Sequence, residues 1–492
     1  MKKSIIIIGA GLGGLSAGIY GQSNGFDTRI YEMHHRAGGQ CASWKRGGYT
    51  FDVCIHHLMG CSPKSSMNKL WSEVGAMSAD FVYTKECVGV ESPDGKLFID
   101  YYDPEKLEKH LCELSPQDAP VIREYVNGIK DFSRRDIVGE LFMYGVRGAL
   151  KNVPGILKNL KWFRMSMGDF AGRFSDPFLR KAFPLVVYSM PDAPTFLHLM
   201  RHGSGYNRDV AWPVGASASF IDAIVNRYES LGGRIYYRSK VTKIITKDGK
   251  AVGIELADGS KEYADVIISN ADGRKTLLEM LDGKYMDERL QKYCAEPDDE
   301  TNWAVHVFLG VDRDLSSEPS SLVMLLDEPA TIAGHTLESL ELQMYGFDKS
   351  MAPEGKGVIK VELISTYSYW KKLSENKPEY EAEKKKVAEQ VIGLLEKHFH
   401  GIKDQVEVVD VPTLLTWERF MGGTHGFANM PKKKFNPAGS MFGSKDMLVP
   451  GLGNFYFVGV WATSAGATFM NALSGKKAVK RICKKEHIKF QV

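Results

Sequence analysis

Ile5-Ile6-Ile7-Ile8-Gly9-Ala10-Gly11-Leu12-Gly13-Gly14, followed by small and apolar residues over 15–22, is the stretch on which the fold turns. Four consecutive β-branched residues with no polar face predict a strand covered on both sides, as in a parallel sheet. The glycines that follow at once predict a tight turn into helix 15–22, and 28–31 predicts a second strand that ends at Glu32. This order is the dinucleotide-binding fingerprint. Gly9 allows the turn, Gly11 lets the backbone approach a pyrophosphate, and Gly14 lets the helix pack closely on the strand. Leu12 and Gly13 lie in the same glycine turn, just ahead of the helix, whose free N–H groups and positive dipole suit phosphate. Glu32 can accept hydrogen bonds from both hydroxyls of an adenosine ribose, and an acid there disfavours a 2′-phosphate.

The remaining composition bounds what surrounds this turn. At 492 residues the chain has length for about three domains. With 43% hydrophobic and 25% charged residues, disorder, collagen and coiled coil are excluded. Lys plus Arg (63) nearly balances Asp plus Glu (60), so no nucleic-acid partner is expected. Seven cysteines without a C-x-x-C pair predict no disulfide framework, no metal site and a reduced, cytoplasmic setting. No run approaches the ~18 apolar residues of a membrane span. The apolar run at Ile5 is also too short for a signal peptide.

Beyond Glu32 lies Arg36-Ala37-Gly38-Gly39-Gln40, a second glycine pair that brings chain close to the pyrophosphate. This resembles the R-x-G-G-R segment of the glutathione-reductase-type flavoproteins, in their amine oxidase and carotenoid desaturase branch. The resemblance implies non-covalently bound FAD; Gln40 stands where the family has its last arginine. Two later segments extend it. Trp212-Pro213-Val214-Gly215 leads into a helix over 220–228, then three strands, then Asp265-Val266-Ile267-Ile268-Ser269-Asn270-Ala271. In the family a valine matching Val241 contacts adenine, and a strand end matching Asn270-Ala271 returns beneath the cofactor. Near the C-terminus a strand over 455–459 ends at Gly459, and a helix begins near 467 with basic residues in its last turns. The resemblance places Gly459, Gly466, Ala467 and Thr468 at the ribityl chain and flavin edge. Val460 replaces the family's usual aspartate.

Tyr49-Thr50-Phe51-Asp52-Val53-Cys54-Ile55-His56-His57 is similar to a stretch of the all-trans-retinol saturase and carotenoid isomerase branch that lies beside the flavin. It makes His56 a candidate cofactor contact and proton donor. Gly422-Gly423-Thr424-His425 makes His425 a second candidate acid.

The expected fold is α/β: a Rossmann-like FAD domain over 1–80, 205–275 and 430–492, a mixed or antiparallel substrate sheet over 81–102 and 276–429, and a helical cap over 103–204. Hairpin strands are expected over 81–100 around Asp94-Gly95, with further strands over 302–311, 322–326, 339–345 and 357–366. Lys384-Lys385-Lys386 is read as a solvated helix face. Residues 141–174 carry Arg147, Lys151, Lys158, Lys161, Arg164 and Arg173 among apolar and aromatic residues, with Asp169 the one acid. This pattern suits either a lid lying on a membrane or a basic cap over a cavity, broken into pieces at Pro154-Gly155. The implied function is a FAD-dependent oxidoreductase acting on carbon–carbon bonds of an apolar polyene or isoprenoid by hydride exchange, as phytoene desaturases do. A separate electron donor or acceptor (nicotinamide, quinone or protein) is expected. The alternatives are an amine-oxidase-like enzyme and a non-catalytic lipid binder of the Rab GDP-dissociation-inhibitor type.

Overall fold

Ile5, Ile6 and Ile7 are wholly buried at the centre of a five-stranded parallel sheet. A computed structural model describes residues 2–186, 191–295, 302–423, 448–463 and 467–492. Across this sheet the strands run Arg234–Tyr236, Asp27–Tyr31, Ser4–Ile8, Val266–Ser269 and Phe455–Phe457. The first βα turn, the middle of the chain and its C-terminal part therefore meet in one layer. Helix Leu12–Ser23 packs against helices Ala216–Ser230 and Thr468–Lys485. The helices lie close because the contact is glycine: a Cβ built on Gly475 would sit 2.5 Å from the Ala17 nitrogen. A three-stranded antiparallel sheet, Val241–Lys247, Lys250–Leu256 and Lys261–Tyr263, lies beside strand Val266–Ser269.

The second layer is a seven-stranded mixed sheet in the order Val406–Asp410, Asn302–Val311, Gly357–Ser365, His335–Met344, Ser321–Ile332, Glu86–Glu91 and Leu97–Tyr101. All its pairings are antiparallel except that of Ser321–Ile332 with Glu86–Glu91. The helices between Pro104 and Tyr206 close over its hairpin end around a separate core of Phe98, Tyr125, Trp162, Phe170 and Phe183.

Three local expectations change. The hairpin begins at Glu86, because Phe81–Val82 instead pairs with Val210–Pro213. Strand 322–326 extends to Ile332, with Pro329 accommodated where the register slips between Leu325 and Ala330; a bulge lets proline sit in a sheet. Helix Val146–Lys158 runs through Pro154 without breaking and ends at Asn159.

The basic segment is also less charged than its sequence implies. Lys151 pairs with Glu140, Lys158 with Asp131, and Lys161 and Arg173 both with Glu124, acids supplied by neighbouring helices and largely outside the segment. Beside the exposed Lys151 and Lys158, the same helix presents an apolar stripe: Val146 (64%), Leu150 (69%), Val153 and Leu157 (65%). No helix among the described residues is long and apolar enough to cross a membrane.

Candidate functional site

The glycine turn opens onto a cavity of about 1010 Å³, at the upper end of the ~300–1,000 Å³ of small-molecule sites. Gly9 has φ +91° and so accepts a turn that a side chain would strain. A Cβ built on Gly14 would lie 2.2 Å from the Gly9 carbonyl oxygen, so Gly14 is a packing position that faces the strand. Gly11, Leu12 and Gly13 line the cavity. Helix Leu12–Ser23 has Gly11 as N-cap with no side-chain cap, so its first N–H groups have no side-chain acceptor there, and the residues that carry them border the cavity.

Glu32 is buried on the same wall. Its carboxylate accepts from the Ala10 N–H at 2.7 Å and the His34 N–H at 2.8 Å. Burial raises its pKa above the usual value against these backbone bonds. Gly38 donates its N–H to the Ala10 carbonyl at 2.9 Å, and a Cβ on Gly39, at φ +58°, would stand 3.4 Å from the Gly11 Cα. Two backbone segments thus meet with little side chain between them, and Gln40 lines the cavity just beyond. Asn270 fills the gap below: its amide would collide with a Cβ on Gly11, Gly13 or Gly459. Val241, Ala271, Gly459, Val460 and Thr468 also line the cavity. Ala467 is the N-cap of helix Thr468–Lys485, without a side-chain cap. His425 and Gly466 lie outside the described residues.

These residues suit FAD. The crossing glycines carry no side chain where a pyrophosphate would pass, an uncapped helix start offers N–H donors, and the buried Glu32 carboxylate lines the same cavity.

His56 lies elsewhere. Among the described residues it lines a separate cavity of about 10 Å³ with His57, Trp212 and Tyr345, room for one water. The expected contact between His56 and the cofactor thus has no counterpart in the large cavity's wall. Its Nε2 is 2.9 Å from both Lys360 Nζ and Glu362 Oε1, and Lys360 Nζ is 2.7 Å from that same oxygen. Burial and the Lys360 ammonium lower the His56 pKa, opposed by Glu362, so the ring is neutral near pH 7. Burial pushes Glu362 up, but Lys360 and His56 overcome it and hold the carboxylate well below the usual range.

Several wall residues escaped the sequence reading. Trp44 donates its indole N–H to Asp410 at 2.9 Å and meets Phe308 edge-on at 5.2 Å, with Trp417 at 6.2 Å. Trp44, Trp417 and Phe420 line the cavity. The one local signal was Trp44 next to a serine and three residues after a cysteine, in a short strand; its partners come from more than 260 residues away. Lys384, expected on a solvated face, also borders the cavity, whereas Lys385 and Lys386 are exposed.

Comparisons with known proteins agree with this geometry. The model of the family described as flavin containing amine oxidoreductase matches residues 12–483. Prolycopene isomerase 1, chloroplastic, from an Oncidium hybrid cultivar is 27% identical over 462 residues, spanning 87% of this chain and 75% of its own. A lycopene-forming phytoene desaturase of a Paracoccus species is 27% identical over 278 residues, 55% of each chain. Among solved structures, an oxidoreductase from Methanosarcina mazei superposes with a TM-score of 0.60 at 16% identity, covering 97% of this chain and all of its own.

Proposed function

We propose that this chain, which belongs to the flavin-containing amine oxidoreductase family and is a FAD-dependent enzyme, acts on the carbon–carbon bonds of an apolar polyene or isoprenoid. What carries the reading is the likeness to a prolycopene isomerase along most of the chain. Bound FAD supplies hydride exchange with a substrate carbon. The protein's part is binding and exclusion. The glycine turn and Glu32 hold the dinucleotide end, Gly38 and Gly39 let the chain cross it, and the Trp44–Trp417 wall keeps water from an apolar substrate. His56, whose Nε2 stands 2.9 Å from both Lys360 Nζ and Glu362 Oε1, is the proposed proton-holding group on the sheet side, with the proton at Nε2 when that atom donates to Glu362 and at Nδ1 when it accepts from Lys360; His425 is a second proposed acid. A separate nicotinamide, quinone or protein exchanges electrons with the enzyme.

Substrate entry from a membrane surface is part of the proposal. The Val146–Leu150–Val153–Leu157 stripe rests on lipid at the protein's edge. Co-sedimentation with anionic vesicles tests it, and loss of binding in Leu150→Glu is expected.

One observation favours a second reading, an amine-oxidase-like enzyme: the aromatic residues Trp44, Trp417 and Phe420 along the cavity. The deciding experiment is a visible spectrum of the purified protein, with the released cofactor identified. It is followed by anaerobic incubation of reduced and oxidised enzyme with polyenes and, in parallel, with amines. Turnover of a polyene is the expected result. Turnover of amines alone would replace the first reading with the second, and protein without releasable FAD would remove both.

A further inference from the structure

The sulfurs of Cys41 and Cys54 lie 3.6 Å apart, and both residues border the large cavity. Their meeting follows from strand register. Strand Ser43–Arg46 pairs antiparallel with Tyr49–Asp52, Ser43 opposite Asp52. The Val53 N–H donates to the Ala42 carbonyl at 3.2 Å, so the register continues one step past the strand ends, to Ala42 and Val53, and the next step brings Cys41 towards Cys54. Directly opposed residues bring their Cβ atoms about 4.5–5.5 Å apart, and a disulfide needs roughly 3.5–4.5 Å. A small closure and a turn of the side chains complete the bond.

The pair is also tied to the nucleotide turn. Cys41 donates its N–H to the Gly38 carbonyl at 3.0 Å, and Gly38 donates to Ala10 at 2.9 Å. Two steps of backbone therefore separate a thiol from the fingerprint. The hydrogen bond with Cys54, burial and the nearby Asp52 carboxylate all push the Cys41 thiol up, so Cys41 rests as a thiol. Cys41 is buried from solution while Cys54 is partly open. A reagent in bulk water meets little thiolate here, whereas a partner inside the cavity meets both sulfurs.

We propose that Cys41 and Cys54 are a redox-active dithiol of the cofactor cavity, exchanging two electrons with the flavin. Two S–H bonds break and one S–S bond forms; two electrons and two protons leave the sulfurs, and oxidised flavin takes them up to become dihydroflavin. The reverse reaction restores both thiols. The inference rests on FAD occupying the cavity. It gives the protein a second two-electron store beside its cofactor.

The test uses the flavin-loaded protein. It is equilibrated anaerobically over ratios of oxidised to reduced dithiothreitol, alkylated under denaturing conditions and mapped by peptide mass. The expected result is a crosslink between the Cys41 and Cys54 peptides at the oxidising end, absent from Cys41→Ser and Cys54→Ala. In a reductive titration, oxidised wild type takes up two more reducing equivalents per chain than either variant. Both thiols alkylated at every ratio, or equal uptake in all three proteins, would overturn the proposal. The peptide map needs no variant, so a misfolded substitution leaves it standing as a test. FAD content is read separately from the same sample, so absence of FAD condemns the cofactor reading, and presence of FAD without a crosslink condemns only the dithiol.

Discussion

The glycine turn and the His56 network are both buried, and they are built in opposite ways. At Gly9–Gly14 the functional surface is backbone: N–H groups, a crossing glycine pair and one carboxylate already held by two amides. At His56 it is three ionisable side chains within 3 Å of one another, with Lys360 wholly enclosed. A backbone surface is harmed by adding atoms; an ion-pair network is harmed by removing them.

The sharpest break should come from the network. Glu362→Ala leaves Lys360 buried without its carboxylate and should cost about 3–5 kcal/mol in a denaturant titration. The Lys360→Met/Glu362→Ala double variant should recover most of that loss, since uncompensated charge and not lost packing is the cause. Equal costs for the single and double variants would place the two sites on the same footing.

Next comes the turn. Gly14→Ala puts a methyl 2.2 Å from the Gly9 carbonyl and should cost roughly 2 kcal/mol by overpacking, with flavin content falling alongside. Glu32→Ala should act on the ligand instead. FAD affinity should fall by about 10- to 100-fold, the worth of a charged hydrogen bond (~1.5–3 kcal/mol), while the apoprotein denatures almost as before, apart from the Ala10 and His34 amides it leaves to water. An unchanged FAD affinity would remove Glu32 from the site.

The smallest effect lies away from both regions and calibrates them. His398 sits between Glu91, 2.5 Å away, and Glu318, and bonds to these two raise its pKa to about 9. A histidine raised in the folded state stabilises fully below the unfolded value of about 6.5 and loses that contribution as pH climbs through 9. After discount for its partial exposure this is about 1 kcal/mol. Stability of the wild type should therefore slope down between pH 6.5 and 9 more steeply than that of His398→Gln. Parallel slopes would show that the pair is fully screened.

Legibility followed sequence distance. The strand–turn–helix, Glu32 and the Gly38–Gly39 pair lie within the first 39 residues, and each has a local conformational reason that its residue type announces. The mixed sheet was legible as strands but not as an order, because the parallel pairing of Leu322 with Gly89 is not written in either strand. Pro154 misled because proline costs a helix one hydrogen bond and some strain, and tertiary packing around Val146–Lys158 outweighs it. The excess of lysine and arginine over 141–174 shows only one side of the local charge, because the acids paired with it, Glu124, Asp131 and Glu140, all precede residue 141. His56 was found by resemblance, yet its partners Lys360 and Glu362 lie some 300 residues on, in a strand that reads as ordinary.

What the sequence by itself determined is the nucleotide-binding end: strand, turn, helix and acid are consecutive, so local geometry and the chirality of the βα unit leave one arrangement. Only the tertiary structure decided which side chains face one another across that cavity and behind it. Trp44 meets Asp410, Cys41 meets Cys54, and His56 meets Lys360 and Glu362. The cysteine pair depends on the register of one hairpin, and the other two on how distant strands and helices are brought together. Those are set by burial of apolar surface summed over the whole core, a quantity that no short stretch of the chain contains.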